Sequence, residues 1–302
     1  LKKYKNHTKK PLIFHDVLTN YHDSIEDKHI FKLDQDKLKL IESWPFIYWI
    51  SDNFREKFLK NPLGLSAKII SGVKTGNNNG ALRFWWEVER NDIYSNQDQE
   101  KKWVRYAKGG PFKHWCGNIW LCVDWGNEAS YIRSQKSINI PPPENSFIKG
   151  ISYSGSGNKG ISFRYFDEYT LYDMGASAIF PKDNLYYYLA ALNSKLVFYV
   201  SACLNPTINK QPNDIKRIPI PKPTNGTLRK LESLSRKCVD LRKHIESVSI
   251  VEPDFKHSPI ELHADKDLKK RIKKHQNFEN YLSCQLLLSE AMIDKEVFDA
   301  YE

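Results

Sequence analysis

SFIKGISYSGSGNKGISFRYF, residues 146–166, forces a choice between two folds. A glycine-rich turn that cradles a cofactor phosphate sits between a strand and a helix. Here the glycines lead into GISFRYF, which alternates apolar and polar residues as a strand does. SYSGSGNKG (152–160) therefore reads as the connection of a hairpin, and the dinucleotide-binding fold loses its entry point. The neighbouring segments agree. AKIISGV, LRFWWEVE, NIWLCVDW, YIRSQ and SAIFP are short β-rich runs separated by Gly, Asn and Pro clusters. The expectation is an α+β fold: a sheet-rich domain over 61–224, preceded by a mixed segment 1–60 and followed by a helical C-terminal extension 225–302.

Helical signals lie on both sides of the strands. DQDKLKLIESWPFIYW (34–49) reads as a helix broken by Pro45, and residues 52–59 as a short one. Residues 184–204 read as one helix with a broad apolar surface. In residues 227–246, Leu228, Leu231, Leu234, Cys238, Leu241 and Ile245 fall on one face. The opposite face, with Arg229, Lys230, Arg236, Lys237, Arg242 and Lys243, reads as solvated. DKDLKKRIKKHQ (265–276) is a denser basic run, and residues 277–301 form a final helical segment.

Forty-six Lys and Arg against 36 Asp and Glu leave a net charge of +10. That surplus favours an anionic partner, nucleic acid before membrane. No run approaches the roughly 20 apolar residues of a membrane span, and LKKYKNHTKK at the start has no signal-peptide core. Five cysteines without framework spacing argue for a reducing cytoplasm and against a structural zinc. The absence of an initial Met raises the expectation of a piece of a larger protein.

Catalytic motifs are missing. There is no phosphate-binding G-x-x-x-x-G-K-[ST] and no nucleophile-elbow G-x-S-x-G. NIPPPEN (139–145) has no aromatic after its prolines and reads as a polyproline connector. No catalytic residue and no metal ligand is expected in this chain.

Three constellations have the chemistry of recognition instead. In VKTGNNNGALRFWWEVE (73–89), Lys74, Thr75, Asn77, Asn78 and Arg83 accompany a Gly/Asn turn, and Asn can bond adenine edges. In WVRYAKGGPFKHWCGN (103–118), Gly109 and Gly110 would let backbone N–H groups approach a phosphate. Lys108 and Lys113 would add charge, with Trp115 and Asn118 holding the loop. In CLNPTINKQPNDIKRIPIP (203–221), Asn205, Thr207 and Asn209 form a turn after a helix, and Lys216 precedes a short strand. Each has a plain structural alternative as a turn or cap.

Taken in order, these segments resemble the PglX-type adenine-specific DNA methyltransferases of BREX phage-defence systems, in the region after the catalytic core. The resemblance rests on TGNNNGALRFWWEV (75–88), KGGPFKHWCGN (108–118), GISYS (150–154), FRYFDEYTLYDMG (163–175) and the NPTIN segment (205–209). IESWPFIYWISDNFREKF (41–58) fits upstream. Asn79, Gly80 and Ala81 stand where the family has Asp, Arg and Phe. Lys113 replaces an Arg, and Cys116 a Tyr.

The resemblance implies a target recognition domain that binds double-stranded DNA and selects an asymmetric site. S-adenosylmethionine and the catalytic motif would belong to the methyltransferase core of the parent chain, leaving no cofactor here. Other BREX subunits and phage DNA mimics would be further partners. The rival expectations are a protein-interaction module and a nuclease.

Overall fold

The structure, a computed structural model, describes residues 9–43, 45–95 and 101–301. The basic stretch 1–8, and Trp44 within the expected 34–49 helix, lie outside the described residues. The chain divides into two compact units, residues 1–59 and 60–302.

The first unit contains α1 (Lys9–His22), α2 (Gln35–Lys39) and α3 (Asp52–Lys57). The helix expected over 34–49 is only five residues long. Asp34 caps it by accepting from Asp36 N, and Ser43 at φ 63° turns the chain out before Pro45. Ser51 caps α3, whose buried Arg55 donates to the Ile47 carbonyl at 2.8 Å. The helix α1 has no buried residue.

The second unit runs α4 (Leu63–Ser66), β1 (Ala67–Ile70), α5 (Asn78–Ala81), β2 (Leu82–Phe84), β3 (Trp103–Ala107), β4 (Leu121–Asp124) and α6 (Gly126–Arg133). It continues with β5 (Gly150–Tyr153), β6 (Phe163–Phe166), β7 (Thr170–Tyr172) and β8 (Ala178–Pro181). Then come α7 (Leu185–Asn193), α8 (Lys195–Leu204), α9 (Pro212–Lys216), α10 (Asn225–Glu246) and α11 (Leu268–Tyr301). The strands form two sheets, β1-β8-β5-β6 and β2-β4-β3-β7. This is the α+β class. The hairpin expected within 146–166 is present: β5 and β6 pair antiparallel, with Ile151 opposite Tyr165. The second sheet contains one parallel pair, β3 with β7.

The sheets meet through Ala107 and Tyr172 of one and Phe166, Ala178 and Phe180 of the other, a buried cluster. Tyr172 lies 5.6 Å, ring to ring, from both Phe166 and Phe180. The far face of the second sheet is filled by Val104, Tyr106, Val123 and Leu171 against Ala129 and Ile132 of α6. Burial of such side chains contributes about 1.5–3 kcal/mol each.

Four local readings need correction. YIRSQ is not a strand but the end of α6, where Ile132 is buried under the sheet. LRFWWEVE pairs only as far as Phe84. Glu87 accepts from Phe84 N at 2.8 Å and folds the chain into a 3-10 turn. The single helix over 184–204 is two, because Ser194 sits at ψ 152° and caps α8 by accepting from Val197 N. No strand follows Lys216; a lone bridge joins Pro62 and Pro219.

The region 225–302 is not an appendage. It belongs to the same compact unit as the sheets. Asp294 of α11 accepts from Lys195 N at the start of α8, and Tyr301 donates to the Pro219 carbonyl. The basic face of α10 is exposed, as read, at Arg229, Lys230, Arg236, Lys237 and Lys243, and it also makes contacts along the surface. Arg236 stacks 3.8 Å over Tyr186, Lys243 lies 5.4 Å over Tyr165, and Lys230 pairs with Glu296.

Candidate nucleic-acid interface

Two of the three constellations dock directly on one short segment, YDMGAS (172–177), in which the sequence marks no recognition residue, and the third is joined to it through Gly155. Tyr172 O accepts from Val73 N and Met174 N donates to Val73 O, docking the first loop. Asp173 N donates to Ala107 O, docking the second. Gly175 O accepts from Gly155 N, and Gly155 O in turn accepts from Lys210 N, which brings in the hairpin and the third loop. Asp173 is the electrostatic centre. Its Oδ2 lies 2.6 Å from Lys108 Nζ and 3.0 Å from the Tyr106 hydroxyl, while its Oδ1 accepts from Gly175 N. Tyr106 and Lys108 lie on one face of an extended chain, so an acceptor opposite them is legible in the sequence. Which acceptor is not.

In the first loop, Thr75 is buried and donates to Asn78 Oδ1 at 2.7 Å. Asn77 Oδ1 accepts from Gly80 N, and its amide donates to the Tyr131 hydroxyl at 3.1 Å. Arg83 donates to the Asn79 and Leu82 carbonyls and lies 5.9 Å over Trp103. The backbone of Lys74 is tied to Asn139 by two hydrogen bonds of 2.8 and 3.0 Å. That is the role of the asparagine in the polyproline connector. Lys74, Asn77, Asn78 and Asn79 are exposed.

The second loop is built differently. A Cβ on Gly109 would stand 2.6 Å from Gly175 O, so glycine lets the loop press against the YDMGAS segment. Gly110 N donates to Ser154 Oγ at 3.3 Å. Lys113 Nζ is held by Glu246 at 2.6 Å and Glu252 at 2.8 Å. Burial alone would lower its pKa; the two carboxylates outweigh that and raise it above the ordinary lysine value. Trp115 is 1% exposed and sits at φ 75°, a strained conformation for a bulky side chain. Three bonds impose it: Trp115 N to Phe163 O, Tyr165 N to Trp115 O, and the indole N–H to Glu290 at 2.7 Å. Asn118 is buried and donates to the Pro111 carbonyl.

The third loop is tied to itself. Asn205 Oδ1 accepts from Thr207 N and Oγ1, and its amide donates to the Asn209 carbonyl and to Asp214. Lys216 is exposed on α9. A groove of about 1120 Å³ beside Tyr94, Trp125 and Phe147 is lined by none of the expected residues.

Among the described residues, no group of three or more His, Cys, Asp or Glu is placed to hold a metal, and no helix is long and apolar enough to cross a membrane.

No family model matches the chain. It is 30% identical over 214 residues to the adenine-specific methyltransferase BrxX of Escherichia coli O9:H4 (strain HS), covering 69% of this chain. It is 28% identical over 211 residues to the adenine-specific methyltransferase PglX of Lacticaseibacillus casei (strain Zhang), covering 64% of this chain. The matches take in 17% and 18% of those relatives, so the chain spans about a sixth of their length. Among solved structures it is similar to the type IIL restriction-modification enzyme MmeI in complex with DNA. The TM-score is 0.47 and the identity 15%, over 80% of this chain and 33% of that one. Over about two-thirds of its length, this chain is homologous to the BrxX and PglX adenine-specific methyltransferases.

Proposed function

We propose that the chain is the target recognition part of an N6-adenine DNA methyltransferase of a BREX-type system, binding duplex DNA and selecting an asymmetric site. The observation that carries this reading is that two loops rich in Gly and Lys dock on residues 172–177 and a third, rich in Asn and Lys, is joined to that segment through Gly155. Duplex recognition needs several loops held in fixed register, with cations toward the backbone and polar or apolar groups toward the bases. Lys74 and Lys216 are the backbone contacts, and Asn78 with Asn79 the base-edge candidates. Lys108, Lys113, Trp115, Asn118 and Asn205 hold the loops in shape. The methyltransferase core of the parent chain supplies S-adenosylmethionine and takes the flipped adenine.

The test is a titration with a random duplex pool at two salt concentrations, sequencing the duplexes that stay bound. Salt-sensitive binding with an enriched motif is expected. A second reading, a docking module for another defence-system protein, draws on the stacked and exposed Phe84–Trp86 pair, 4.6 Å apart. Absence of DNA binding at low salt would sink the first reading in favour of the second.

A further inference from the structure

Around residues 172–177 the side chains of Lys108, Asp173 and Asn205 are bonded within the protein, and two large apolar side chains are exposed. Ile208 is 59% exposed at the tip of the third loop, and Met174 is 48% exposed on the turn after Asp173. Neither position is loose. Asn205 braces the Ile208 loop through four hydrogen bonds, two to Thr207, one to Asn209 and one to Asp214. Below it the buried ammonium of Lys210 bonds the Ser201 and Asn205 carbonyls. Met174 is fixed by its N–H to Val73 O and by Asp173, which accepts from Gly175 N at 2.7 Å.

Gly155 joins the two positions. Its N–H donates to Gly175 O and its carbonyl accepts from Lys210, while Gly157 N donates to Ile208 O at 3.1 Å. Lys74, whose neighbour Val73 bonds Met174, and Lys159, two residues after the Gly157 that bonds Ile208, are both exposed.

The Asn205 amide and the Thr207 hydroxyl are committed within the loop, which leaves the exposed Asn209 amide beside Ile208 as its polar group for a base edge. At Ile208 the braced outward surface is hydrocarbon. In a duplex, apolar surface is offered by the thymine C5-methyl group in the major groove and by the faces of bases at an opened step. We propose that Ile208 and Met174 form an apolar contact with the bases of the target site, with the flanking lysines on the phosphates. This rests on the reading of the chain as a DNA-recognition domain. It adds that part of the site is chosen by hydrocarbon contact rather than by hydrogen bonds.

The experiment compares the full chain with Ile208→Thr/Met174→Gln, which keeps the β-branch at one exposed position and the chain length at the other while replacing hydrocarbon by polar groups. Binding is measured to the selected duplex and to an unrelated duplex at two salt concentrations. The double variant is expected to lose roughly tenfold on the selected duplex alone, with an unchanged salt slope and unchanged melting temperature. Two further arms separate the sources of the contact. Uracil in place of a critical thymine reproduces the loss in the wild type if the methyl group is touched. Fluorescence transfer between the duplex ends reports a bend, abolished in the variant, if a base step is opened. Equal affinity of variant and wild type for the selected duplex would overturn the proposal, as would an equal loss on both duplexes. Failure of the wild type itself to bind any duplex would instead overturn the recognition reading on which it rests.

Discussion

Two loops that read alike in the sequence are put to opposite uses. KTGNNNG (74–80) and KGGPFKHWCGN (108–118) both set lysine beside glycine ahead of aromatic residues. The first keeps Lys74 and three asparagines exposed. The second turns Lys108 onto Asp173, Lys113 onto Glu246 and Glu252, and Trp115 onto Glu290. A cation in a glycine loop is available to a phosphate only if the fold has not already supplied a carboxylate. The contrast also explains why the glycines sit among the cations in the second loop. They allow close packing against the protein's own backbone, as at Gly109, as much as approach to a ligand.

The comparison can be broken at its strongest point first. Trp115→Ala removes a fully buried indole and should cost about 3–5 kcal/mol in denaturant unfolding; a cost below about 1 kcal/mol would show the loop to be peripheral. Next comes Lys113→Ala, which leaves two partly buried carboxylates facing each other. A loss of about 2 kcal/mol is expected, below the value for a fully buried pair because the lysine side chain is 20% exposed. In a double-mutant cycle with Glu252→Gln the losses should be non-additive; strict additivity would mean the bridge contributes nothing.

A smaller effect belongs to pH. Burial alone would raise the Glu290 pKa, but bonds from His114 and Trp115 outweigh it and hold it below the ordinary carboxylate value. Its contribution to stability is therefore present above that ordinary value and lost as pH falls through the lowered one. The melting gap between wild type and Glu290→Gln should shrink on acidification from about pH 7 toward about pH 3. A gap that stays constant over that interval would contradict the assignment. The smallest stability effect is at the other loop. Lys74→Ala should change stability by less than about 0.5 kcal/mol, yet lower affinity for every duplex and reduce the salt slope by about 1. An unchanged slope would remove Lys74 from the interface.

Much of the sheet architecture is legible locally, because short β-rich runs bounded by Gly, Asn and Pro mark the strands one at a time, although the polar residues of GISFRYF, Ser162 and Arg164, are buried along with the apolar ones. The failures have physical causes. Ser194 is a helix cap inside an apolar run, and apolarity conceals the break. Glu87 ends β2 through a side-chain bond that hydrophobic patterning does not register. The basic run 265–276 and the segment after it are one helix, since charged residues propagate a helix as well as apolar ones do. At the candidate site, the motifs marked the loops but not the side chains free to act in them. Lys113 and its carboxylates are separated by 133 and 139 positions, and no local signal spans that distance. The role of Asp173 is hidden in the sequence for the same reason.

Those separations also set an order of events. During synthesis, the loop at 108–118 emerges well before Glu246, Glu252 and Glu290. Lys113 gains its carboxylates only once Glu246 and Glu252 have emerged, and Trp115, bonded earlier to Phe163 and Tyr165, gains the Glu290 acceptor only when the last helix has left the ribosome. Contacts this distant along the chain form late and slowly. The loop that looks most like a ready-made grip is therefore among the last parts of the second unit to take its final shape.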